Sequence, residues 1–117
     1  MKYLLLVCWD GERMNATEEP EPGATPEEDE GFPWLNDLQA RGAWITGDQL
    51  APPRRARAVR KRDGKVLVTD GPFTETKEAI GGFDLIEAGS LEEAVEIAAG
   101  HPIAEFGTIE VRPLWGS

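Results

Sequence analysis

The chain has 117 residues, of which 40% are hydrophobic and 29% charged, a balance that suits one globular domain spanning residues 1–117 and excludes a fibrous or low-complexity protein. The single cysteine, Cys8, excludes an internal disulfide and fits a reducing, cytoplasmic setting. The net charge of −10 opposes binding to nucleic-acid phosphates.

That charge is unevenly spread. Residues 10–30 hold nine acids against Arg13, whereas residues 41–65 hold eight bases against Asp48 and Asp63. The two stretches can meet within the protein or face protein partners of opposite sign.

The first element is an apolar run over residues 2–8. It is too short for a membrane helix and is followed by no small-residue cleavage site, so it reads as a central strand and no membrane partner is expected. Residues 10–26 are acidic and rich in Pro and Gly, and read as a surface loop. Thr25, Pro26 and Glu28 then form a helix-start signature, with Thr25 as cap, Pro26 in the first turn and Glu28 closing a capping box. Phe32, Leu35 and Leu38 share one helical face. Pro33 either kinks that helix or marks where its regular part begins, and Gly42 ends it.

Residues 43–47 read as a small extra strand and 48–53 as a loop. Asp63-Gly64, between two strand-like runs at 55–62 and 65–69, favours a type I′ hairpin. Residues 80–88 form a further strand, with Phe83 and Leu85 on one face. Ser90-Leu91-Glu92-Glu93 is a second capping box, whose helix is expected to bury Leu91, Ala94, Val95 and Ala98 and to stop at Gly100. Residues 108–114 alternate cleanly as a last strand, with Pro113 near a sheet edge. The order predicts an α+β, ferredoxin-like βαββαβ fold with an antiparallel sheet. Two helices cover one sheet face, and the other face calls for a second subunit, giving a homodimer.

The segment Asp70-Gly71-Pro72-Phe73-Thr74-Glu75-Thr76-Lys77-Glu78, followed by Gly81-Gly82-Phe83, resembles the DGPF signature of the YCII-related family. The likeness runs from Gly47 through residues 57–69 to Glu110-Val111-Arg112-Pro113-Leu114. It implies a dimeric α/β-barrel assembly with a pocket between sheet and helices in each subunit. It also implies kinship with proteins in which a His–Asp pair is assigned acid–base work, among them a dehydrochlorinase of a chlorinated aromatic diol. Many members occur near sigma factors of the extracytoplasmic-function type. In the shorter relatives the resemblance implies a histidine on the first helix. Here residues 26–42 contain none, and the sole histidine is His101.

Asp70 and His101 are therefore the candidate catalytic residues, and Gly71, Pro72, Phe73, Lys77 and Gly82 the candidate ligand-binding ones. A carboxylate held against apolar groups has a raised pKa and can serve as acid or base. The alternative is that Asp70 caps its turn, which suits Asp at such positions. Lys77 can bind an anionic ligand or pair with Glu75 or Glu78. The Gly81-Gly82 pair suits a bulge or a close backbone approach. His101 can titrate near neutral pH, and a protonated imidazole is also favoured at a helix C-terminus. No metal-ligand spacing is present and no cofactor loop is found. Three functions are compatible with these residues. The first is a small-molecule-binding or accessory protein, the second an acid–base enzyme on a small, aromatic or halogenated substrate, and the third a protein-interaction module.

Overall fold

The structure, a computed structural model, describes residues 1–16, 32–72 and 76–116. The Thr25 capping box, the loop beyond residue 16 and Phe73 lie outside these residues.

Strand β1 (Lys2–Asp10) runs into a short helix α1 (Gly11–Ala16). The loop expected from residue 10 therefore begins as a helix. Asp10 caps it, its Oδ1 accepting from the backbone N–H of Glu12 at 2.9 Å and of Arg13 at 3.1 Å, as an Asp at the N-cap does. Met14 is buried beneath Trp9 and anchors this single turn and a half.

Helix α2 (Pro33–Ala40) starts at the proline, where the missing N–H costs nothing. Leu35 and Leu38 are buried on its inner face. Gly42 adopts φ +69° after the helix. Its N–H donates to Gln39 and that of Ala43 to Leu38 at 2.8 Å, a Schellman ending.

Strand β2 (Trp44–Gln49) follows. Strands β3 (Arg57–Arg62) and β4 (Lys65–Asp70) form a hairpin. Its turn residues Asp63 and Gly64 have φ of 49° and 76°, the positive pair that a type I′ turn requires. Strand β5 (Glu78–Glu87), helix α3 (Leu91–Ala99) and edge strand β6 (Thr108–Pro113) complete the chain. Ser90 caps α3, accepting from Glu93 N–H at 3.1 Å, while the Glu93 carboxylate accepts from Gly89 N–H at 3.1 Å. The inner face of α3 consists of Ala94, Ile97 and Ala98. Leu91 and Val95, expected inside, are 45% and 50% exposed, because the true apolar stripe is turned towards Ile97.

The main sheet is antiparallel with order β2-β5-β1-β6, and β3-β4 form a separate two-stranded sheet. This is the ferredoxin-like order, with the hairpin inserted between the second and third strands of the main sheet. The piece at 43–47, read from sequence as a small extra, is thus part of the main sheet, and the prominent hairpin is the addition. Tyr3 and Leu5 of β1 and Ile86 of β5 pack with Leu38, Ala94, Ile97 and Ala98 in the main core. A second cluster joins Val7, Trp9, Met14 and Ile103 at the other end of β1.

Candidate functional site

A cavity opens where that second cluster meets β2 and β5. It is lined by Val7 and Trp9 of β1, Gly47, Asp48 and Gln49 of β2, Gly81 to Asp84 of β5, and by Phe32, His101 and Ile103. Its enclosed space is about 30 Å³, widening to about 460 Å³ when the open mouth is counted. The enclosed part fits roughly one or two waters, so a larger ligand would occupy the mouth.

Glycines bring the walls together. Between Val7 and Cys8 the β1–β5 register shifts, leaving Gly81 as an extra residue in β5, a β-bulge. A Cβ on Gly81 would lie 2.8 Å from the Met14 methyl and 2.9 Å from Trp9 Nε1. Gly82 lies against the Asp48 carbonyl of the neighbouring strand. Gly82 lines the cavity, while the bulge and the close backbone approach read from the Gly-Gly pair are both present.

His101 lies just after α3 and is 5% exposed. Its Nδ1 accepts the backbone N–H of Ile103 at 3.0 Å, capping the short 3-10 turn at Pro102–Glu105. The ring meets Trp34 edge-on at 4.7 Å between centroids and Phe32 at 5.9 Å. Burial pushes its pKa down to about 4. The expectation of a histidine titrating near neutral pH, or held protonated at a helix end, is corrected here, because burial disfavours the charged form. A neutral imidazole with Nδ1 accepting carries its proton on Nε2, so His101 offers the cavity a donor and has no free lone pair to act as base.

Asp84 is another titratable group in the lining, with Asp48. It projects from β5 to the helix-covered side, and its Oδ1 accepts from Trp44 Nε1 at 3.0 Å. Burial pushes its pKa up, and the Trp44 hydrogen bond partly opposes this. Beside it, Gln49 Oε1 is buried without a hydrogen-bond partner among the described residues. An orphaned buried acceptor is costly, and a ligand or water donor would relieve it.

Neither Asp84 nor Gln49 stood out in the sequence. Asp84 had one signal: on a strand whose Phe83 and Leu85 share a face, Asp84 falls on the same side as Ile86, so an acid was due on the core face.

Asp70 lies elsewhere. It ends β4 on the hairpin, its side chain is 89% exposed, and its Oδ1 pairs with Arg57 Nε at 3.1 Å. It is absent from the cavity lining and stands in solvent instead of against apolar groups. Gly71 turns with φ +85°, which favours glycine, and its N–H donates to Ala56. Pro72 and Lys77 are exposed. The Lys77 carbonyl accepts from Gly11 N–H at 2.9 Å, so this residue tethers α1 through its backbone. Of the sequence candidates, His101 and Gly82 come together, and Asp70, Gly71, Pro72 and Lys77 do not join them.

A profile of the YCII-related domain matches residues 1–116. An uncharacterised protein of Rhizobium meliloti strain 1021 is 44% identical over 68 residues. That match covers 56% of this chain and 55% of the relative, so the similarity spans about half of either protein. No helix among the described residues is long and apolar enough to cross a membrane.

Proposed function

The chain belongs to the YCII-related family, and we propose that it binds a small hydrogen-bonding molecule in the mouth of the cavity between His101 and Asp84. One observation carries this reading: a buried neutral histidine, a carboxylate whose pKa is raised and an amide oxygen with no partner among the described residues line the same cavity. Convergent polar groups on an otherwise apolar wall mark a ligand site. A ligand hydroxyl suits them, accepting from the imidazole and donating to Gln49 Oε1 or Asp84.

The test is a thermal-shift and native mass-spectrometry screen of phenols, alcohols and small acids. A compound that stabilises the wild type and loses its effect in Asp84→Asn and His101→Phe supports the site. Equal binding by all three proteins refutes it.

A second reading is acid–base catalysis at the same place. The raised pKa of Asp84 favours it, and it moves the acid–base role from Asp70 to Asp84, with His101 as a neutral donor to developing negative charge. A turnover that survives Asp84→Asn refutes this version.

We infer a homodimer as the working form. Leu4, Leu6 and Cys8 alternate with the buried residues of β1 and pair with Leu85, Phe83 and Ile80 of β5. They form an apolar strip on the sheet face away from the helices, and Ile80 is 46% exposed there. A second copy is the natural cover for such a strip. A monomer in sedimentation at micromolar concentration would refute it.

A further inference from the structure

The β3–β4 hairpin is a second surface with unmet packing. Its register sets Arg57 opposite Asp70, Val59 opposite Val68 and Lys61 opposite Val66. Directly opposed residues of an antiparallel pair share a face. Val59, Val66 and Val68 therefore form one apolar patch, bounded by the Arg57–Asp70 ion pair. The three valines are 66%, 62% and 59% exposed. A two-stranded hairpin is marginal in water by itself, and β-branched side chains stabilise a strand chiefly when something packs on them.

Charge indicates what that something is. Residues 57–70 carry five bases against Asp63 and Asp70, a net of +3, so the rest of the chain carries −13. A second copy presents both complements: among the described residues outside the hairpin, twelve acids stand against seven bases, and the apolar strip is edged by Glu78 and Glu110, whose charges bear on Cys8, with Arg112 beside Glu110. In a two-fold assembly each hairpin reaches the other body by the same contact, so both are satisfied at once.

We propose that the β3–β4 hairpin is an arm that docks, valine face inward, on a second copy of this chain beside its open sheet face. This rests on the homodimer reading and specifies which part of each subunit embraces the other. The basic hairpin and acidic body also steer the encounter, so association slows as salt rises.

The test is an isotope-filtered NOE experiment on dimers mixed from labelled and unlabelled full-length chains. Cross-peaks from the Val59, Val66 and Val68 methyls to the other copy are the expected result. A dimer without those cross-peaks overturns the arm and leaves the dimer standing, whereas a monomer at every concentration overturns both. Val59→Thr with Val68→Thr keeps the β-branched shape and gives an independent readout. The arm requires at least a tenfold weaker dimer, and an unchanged dissociation constant in the folded variant overturns it.

Discussion

Trp44 donates its indole N–H to Oδ1 of Asp84 at 3.0 Å, tying the β2 strand to the one acidic side chain that β5 turns towards the core. The bond favours the carboxylate, while burial favours the acid form and dominates. Replacing Trp44 by Phe removes this hydrogen bond, which stabilises the charge. Asp84 should then titrate higher still, read by carboxyl ¹³C shifts, and the protein should lose about 1–3 kcal/mol, the cost of a hydrogen bond to a charged group.

Asp84→Asn keeps an acceptor for Trp44 and removes the ionisation. A carboxylate whose folded pKa lies above its unfolded value destabilises the fold once it ionises, and the penalty is complete above the folded pKa. Asp84→Asn should therefore stabilise the protein at neutral pH. Its advantage should shrink as pH falls towards the ordinary aspartate value of 3.8. Urea unfolding at several pH values checks the sign.

His101 acts in the opposite sense. Its folded pKa of about 4 lies below the ordinary 6.5, so its contribution to stability is intact above pH 6.5 and is lost as pH falls towards 4. The difference corresponds to roughly 3 kcal/mol when fully developed. His101→Asn retains an acceptor for Ile103 N–H and should flatten the stability profile in that window.

Two glycines are required by contact rather than by backbone angle. A Cβ at Gly107 would sit 2.3 Å from the Cys8 carbonyl oxygen, and one at Gly47 would sit 2.6 Å from that of Phe83. Alanine at either should cost about 1–3 kcal/mol, because backbone must move. Gly42→Ala meets open space and should cost only about 1 kcal/mol of left-handed strain. Thermal denaturation separates the two classes.

Asp70→Asn removes an exposed ion pair with Arg57. Such pairs are worth about 0–1 kcal/mol. The variant should unfold close to wild type and leave ligand binding in the cavity intact, in contrast to Asp84→Asn.

Where a signal was local, the sequence was sufficient. Asp63-Gly64 specified its turn because only certain residues accept two successive positive φ values. Ser90 with Glu93 specified the start of α3 because their side chains satisfy backbone groups within four residues. The site was less legible. His101 and Gly82 were singled out, but Asp84 and Gln49 gained their meaning from what surrounds them.

By itself the sequence determined the hairpin turn, the start of α3 and the ends of α2 and α3, which depend on short-range sterics and hydrogen bonding, and the α+β class through the order of its elements. Tertiary structure decided which strands share a sheet, since pairing β2 with β5 joins residues some forty positions apart. It also decided the fate of the acids. Desolvation depends on everything packed around a group, and it separates Asp84, held in the cavity wall, from Asp70, exposed on the hairpin.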